Sequence, residues 1–128
     1  MRLLLDTSVL IDALRARKER RGWLAEQLRS GHSLETSALN VAEVHAGMRP
    51  EEEKRTKDFL GALLCHPITA SAGEKAGRLK NQWARRGRTL TLADTIVAAV
   101  AIEQNCVLVT DNRRDFPMPE MRLYALPE

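Results

Sequence analysis

Aromatic side chains are scarce in this chain, with two Trp, two Phe and one Tyr among 128 residues. Binding of single-stranded nucleic acid on a platform of stacked rings therefore has no support, and Trp23 and Trp83 fall on apolar helix faces where core packing accounts for them. Cysteine is as sparse. Cys65 and Cys106 stand apart from each other and from any CxxC or His spacing, which fits buried reduced thiols better than a disulfide or zinc ligands. The longest apolar run, Ile96–Ile102, falls far short of the roughly 18 residues that cross a bilayer. Arg2-Leu3-Leu4-Leu5 is cut off by Asp6 too soon to serve as the apolar region of a secretory signal, so a cytoplasmic location is expected. A P-loop, a GxGxxG and a Ser/His/Asp or Cys/His arrangement are all missing, and His32, His45 and His66 show no ligand spacing. With no repeat, low-complexity tract or linker, one continuous domain over residues 1–128 is expected.

What the chain has in quantity is Arg. The net charge is +3, too small to separate a polyanion-binding face from an ordinary solvated one. Its distribution is uneven: Arg15, Arg17, Lys18, Arg20 and Arg21 cluster early, and Arg85, Arg86 and Arg88 flank Gly87. Arg113 and Arg114 form a third pair, and these two are the weak candidates for contacts to RNA phosphates, against a solvated face as the alternative.

Short apolar runs alternate with helical periodicity. Arg2–Leu5 reads as a buried strand ended by Asp6-Thr7-Ser8, a helix start. Residues 21 to 30 carry helical spacing that Gly31 stops, and a second strand is expected near Ser33 to Thr36. Ser37 caps a helix that carries Glu43 in its second turn. A further amphipathic helix spans Glu51 to Leu64, a short strand follows near His66 to Thr69, and Gly73 to Arg86 is helical. Thr91 opens a helix, Leu92 to Gln104, that is apolar almost all round. Cys106 to Thr110 is the clearest strand, ending at Asp111, and a last strand lies near Arg122 to Tyr124. The alternation predicts right-handed βαβ units around a mainly parallel sheet of four to five short strands, covered on both faces.

Ligand sites in open parallel sheets form outside the carboxyl ends of the strands. Asp6, Glu43, Asp94 and Asp111 all fall at such places. Each has an ordinary explanation of its own: Asp6 a helix cap, Asp94 part of a capping box with Thr91, Glu43 a solvent-facing helix acid, Asp111 an Asx turn. Four acids at four converging element ends are better explained together. Gathered carboxylates raise one another's pKa and want a cation, and hard Mg²⁺ or Mn²⁺ takes oxygen ligands, one or two ions serving. Such an ion activates water and offsets charge on a phosphodiester, so metal-dependent hydrolysis of nucleic acid is the leading expectation. An Asp-nucleophile phosphatase would want a second acid at position 8, where Ser8 stands. An RNA- or partner-binding regulator without nuclease activity is the other alternative, and it leaves the four acids without a purpose.

These segments resemble the PIN-domain family, and most closely its VapC-type toxins. LLLDTSVLIDAL resembles the first family motif, TSALNVAEVHAG the second, LTLADTIVAAVAIEQN the third and LVTDNRRDF the last. The resemblance covers the whole chain and implies a three-layer α/β/α fold with metal ligands Asp6, Glu43 and Asp94. It implies supporting roles for Thr7, Ser8, Thr110 and Asn112. In the last motif both Asp111 and Asp115 are available; Asp111 is favoured because it directly follows the strand, with Asp115 as a supporting or alternative ligand. The resemblance further implies a Mg²⁺- or Mn²⁺-dependent endoribonuclease toxin that dimerises and is restrained by a cognate antitoxin, with no membrane partner.

Overall fold

The structure is a computed structural model that describes residues 1–127. Its centre is a five-stranded sheet of β1 (Arg2–Leu5), β2 (Ser33–Ser37), β3 (Leu64–His66), β4 (Val107–Val109) and β5 (Arg122–Tyr124), in the order β3-β2-β1-β4-β5. Every neighbouring pair is parallel, so the sheet is wholly parallel. β1 lies in the middle, where a strand must be apolar on both faces, and Leu3, Leu4 and Leu5 are fully buried.

Six α-helices cover it: α1 (Thr7–Leu14), α2 (Arg20–Arg29), α3 (Ala38–Gly47), α4 (Glu53–Gly61), α5 (Ala70–Arg85) and α6 (Leu92–Glu103). Alternate residues of a strand face opposite ways, so β1 and β4 feed two cores. Leu4 and Leu108 pack against α5 and α6, through Ala76, Leu79, Val97 and Val100. Leu3, Leu5, Val107 and Val109 pack against α1, α2 and α4, through Val9, Leu10, Leu24 and Leu60. Trp83 joins the first core and Trp23 the second, both partly buried.

Local chemistry sets most boundaries. Ser37 and Thr91 cap α3 and α6 by accepting from the backbone N–H three residues on. Gly31, at φ +85°, takes the left-handed turn that leads out of α2. The third strand begins at Leu64, two residues before its expected start, and α4 ends at Gly61. Leu63 and Leu64 carry helical apolar spacing, but the chain leaves the helix there and Leu64 pairs with Glu35 on the sheet edge. α5 begins at Ala70, capped by Thr69, ahead of the expected Gly73. Cys65, expected to be buried, is exposed on that edge strand, whereas Cys106 is buried. No helix is long and apolar enough to cross a membrane.

The strand order has a functional corollary. The chain steps from β1 to β2 to β3 in one direction, then crosses back over the sheet through α5 and α6 to β4. The crossover changes face between β1 and β4, and a crevice opens at the carboxyl ends of those two strands.

Candidate active site at the carboxyl edge of the sheet

Asp6 leaves β1 at that crevice, with 7% of its surface exposed. Its carboxylate is fixed from three directions: Oδ1 accepts from Thr7 N at 2.9 Å and from Asn40 Nδ2 at 3.2 Å, and Oδ2 accepts from the Thr110 hydroxyl at 2.8 Å. The first bond caps α1, so the capping role and membership of an acidic group coincide in one side chain. Thr110, directly after β4, also accepts from Asn112 N at 3.0 Å, which shapes the turn leaving that strand.

Asn40 is a centre of this network that sequence reasoning missed. It is fully buried, its Oδ1 accepts from the Ser37 hydroxyl at 2.5 Å, and its Nδ2 donates to Asp6 and, at 3.0 Å, to Thr7 Oγ1. Thr7 in turn donates to Glu43 Oε1 at 2.6 Å. The signal was present: an Asn in the apolar run Ala38-Leu39-Asn40-Val41, one turn before Glu43, is an expensive residue to bury without a purpose. Glu43 projects from the exposed side of α3, and Asp94 lies half-buried in the first turn of α6, its N–H donating to the Thr91 hydroxyl.

The charges of these acids act on one another. Burial pushes the Asp6 carboxyl above its ordinary range and the charge of Glu43 adds to the rise, against hydrogen bonds from Thr110, Thr7 and Asn40 that pull it back. Asp94 is raised first by burial, then by the charges of Asp115, Asp6 and Glu43, while Thr91 opposes the rise. Asp6, Glu43, Asp94 and Asp115 are thus coupled by charge. Among the described residues none of the four pairs with a Lys, Arg or His. No three of them bring oxygens within 4.8 Å of one another, as like charges spread apart.

Asp111 is ion-paired. Its Oδ1 accepts from Arg20 Nη2 at 2.7 Å and its Oδ2 lies 3.9 Å from Lys18 Nζ. The expectation that favoured Asp111 over Asp115 followed from its place next to the strand, but the turn after β4 directs the first acid toward α2. A short 3-10 turn, Arg113–Asp115, follows, and the charge of the second acid acts on Asp94. Ser8, the other hydroxyl of the first motif, has a buried Oγ with no partner among the described residues.

The early basic cluster divides on folding. Arg20 is 3% exposed and holds Asp111 and, at 3.2 Å, the Pro127 carbonyl. Arg21 donates to the carbonyls of Ala13 and Leu14, and Arg15 pairs with Glu52. These side chains tie α1, α2 and α4 together. Arg113 and Arg114 are exposed beside Asp115, and Arg113 lines a cleft of about 520 Å³ with Lys18, Thr110 and Asp111.

Residues 3–118 match the family described as PIN domain. The chain is 31% identical over 115 residues to Ribonuclease VapC19 of Mycobacterium tuberculosis, covering 90% of this chain and 92% of that protein. It is 32% identical over 118 residues to Ribonuclease VapC10 of the same organism, covering 92% and 88%. The fold is that of a solved chain in VapBC2 from Rickettsia felis bound to a DNA fragment from their promoter, with a TM-score of 0.85 at 23% identity over 97% of this chain and 98% of that one.

Proposed function

Because the chain belongs to the PIN-domain family, we propose that it is a single-domain, metal-dependent endoribonuclease and the toxin of a toxin–antitoxin pair. The observation that carries this reading is the mutual charge coupling of Asp6, Glu43, Asp94 and Asp115, drawn from four separate elements, with no cationic side chain paired with any of them among the described residues. This donor set is all oxygen, which suits Mg²⁺ or Mn²⁺ and not a softer ion. The unpartnered Ser8 hydroxyl fits a site that also accommodates water.

Asp6, Glu43, Asp94 and Asp115 are the residues to hold one or two such ions. When bound, the metal supplies an activated water and offsets charge on the scissile phosphate. The chain's own side chains do the rest. Asn40 and Thr110 lock the Asp6 carboxylate in one orientation, and Thr7 holds Glu43 toward it, so the donors are arranged before substrate arrives. Arg113 and Arg114, and Lys18 across the cleft, offer contacts to RNA phosphates on either side of an otherwise acidic centre. Relatives named as ribonucleases and the VapBC complex support the RNA substrate and an antitoxin partner, and a homodimer in the cytoplasm is consistent with that role.

The test is cleavage of single-stranded RNA by the purified protein with chelator, Mg²⁺ or Mn²⁺, beside an Asp94→Asn variant. Cleavage that needs the ion and disappears in the variant supports the reading. RNA binding without cleavage under every condition would replace it with the regulator alternative.

A further inference from the structure

Away from the carboxyl-edge acids, three polar side chains, Glu35, His66 and Cys106, are buried together under α5 and α6, and nothing in the nuclease reading uses them. Glu35 is fully buried in β2, an uncommon place for a carboxylate. It pairs in register with Leu4 and so faces the core beneath α5 and α6. Its Oε1 is a hub: His66 Nε2 lies at 2.5 Å, Cys106 Sγ donates at 3.5 Å, and Arg2 Nη2 donates at 2.9 Å. A His nitrogen, a Cys sulfur and a carboxylate oxygen here lie within 4.8 Å of one another, the one such trio found among the described residues.

From this convergence we propose that Glu35, His66 and Cys106 form a second metal site, selective for a thiophilic divalent ion such as Zn²⁺. Its donors are mixed nitrogen, sulfur and oxygen, which zinc takes in tetrahedral geometry and which Mg²⁺ and Mn²⁺ do not favour. Three protein ligands with an open fourth position is an established zinc pattern.

Arg2 already neutralises Glu35, so charge must be balanced on exchange. The Arg2 side chain is 44% exposed, against 0% for Glu35, so on exchange it is Arg2 that turns to solvent, giving up its two bonds to Glu35 and one to the Gln104 carbonyl. On binding, the Arg2–Glu35 pair opens, the Cys106 S–H bond breaks with its proton passing to solvent, the neutral His66 ring shifts its proton from Nε2 to Nδ1 by exchange with solvent, and Zn–S, Zn–N and Zn–O bonds form. One doubly charged ion replaces one guanidinium and one proton, and the buried pocket stays electrically neutral. The space given up by the guanidinium leaves room for a water as fourth ligand.

The sequence hides this site because its ligands are 31 and 71 residues from Glu35. The parallel register of β2 and β3, and the start of β4 beyond β1, bring them together.

The test uses the full chain, stripped with chelator and held in excess Mg²⁺ so that the oxygen-rich centre is occupied, then titrated with Co²⁺ as a spectroscopic stand-in for Zn²⁺. One equivalent should give a thiolate-to-cobalt charge-transfer band and the visible bands of a tetrahedral ion, both removed by Zn²⁺. Cys106→Ser should abolish the charge-transfer band, His66→Gln should weaken binding by about tenfold or more, and Cys65→Ser should change neither. Circular dichroism checks that each variant is folded, and a Zn²⁺-dependent rise in the melting temperature of the unsubstituted protein gives a readout that needs no variant. Absence of the band and of that rise, or a band that survives Cys106→Ser, overturns the proposal. Nuclease activity is not read, so the outcome is independent of the carboxyl-edge assignment.

Discussion

Arg20 Nη2 and Asp111 Oδ1 meet at 2.7 Å although 91 residues separate them, and this leaves Asp115 as the acid of the last motif that has no ion pair among the described residues. Asp111→Asn should leave RNA cleavage within a few-fold of the parent while lowering stability by about 2 kcal/mol, because a buried guanidinium loses a charged acceptor. Asp115→Asn should leave the melting temperature nearly unchanged and reduce cleavage by about a hundredfold, the upper end of what a lost partner of a bound metal costs. Thermal melts and cleavage assays on the two variants separate the roles; the opposite pattern restores Asp111 as the fourth ligand.

Asn40→Ala should cost about 1–3 kcal/mol, since it removes donors from the buried Asp6 and Thr7 oxygens and leaves the Ser37 hydroxyl without its acceptor. Cleavage should fall with it as Asp6 loses its fixed orientation. Asn40→Asp should be worse on both counts, because it sets a negative charge against Asp6. Chemical denaturation alongside cleavage rates checks this, and an Asn40→Asp protein as stable as the parent would contradict it.

The like-charge origin of the raised Asp94 pKa is open to a direct reading. In metal-free protein, Glu43→Gln and Asp115→Asn should each lower the Asp94 pKa by removing a neighbouring negative charge, as followed by carboxyl NMR titration. The linkage has a definite sign. A carboxyl raised above its unfolded value opposes folding when ionised, so this penalty is present at neutral pH and is relieved as pH falls through the raised pKa. An Asp94 titration that ignores both substitutions would mean burial alone sets it.

Glu35 behaves in the opposite way. Burial resists its ionisation, but hydrogen bonds from Arg2, His66 and Ser33 outweigh that and hold its carboxyl down at about 2. Its contribution to stability is therefore complete above the ordinary value of 4.5 and is lost as pH falls toward 2. Glu35→Gln should be less stable than the parent at pH 6, and the difference should shrink through that window. Urea melts at a series of pH values measure it; a gap independent of pH would contradict the assignment.

How much of this could be read in advance depended on the kind of signal. β1 and β4 were legible because a central parallel strand must be apolar on both faces, and Leu3–Leu5 and Val107–Val109 are. Asp6, Glu43 and Asp94 could be singled out as candidates because they sit at element ends that the fold class places along the carboxyl edge of the sheet. The start of β3 was not, because Leu63 and Leu64 continue the helical spacing of α4 and only pairing with Glu35 ends it. The Arg20–Asp111 ion pair was not legible, because Arg20 reads in sequence as one more surface cation and folds to the interior. The Glu35–His66–Cys106 trio was illegible for a related reason: strand register joins it, and composition carries no trace of register.

The position of β1 in the middle of the sheet also sets a timetable. Asp6 leaves β1, yet its strand needs β4 as a neighbour, and the Thr110 hydroxyl that holds its carboxylate lies 104 residues further along the chain. Pairings across such sequence separations form late in folding. A partly translated chain therefore holds Asp6 and Glu43 without Asp94 and Asp115, and the Asp6 carboxylate lacks its Thr110 donor until β4 has been made.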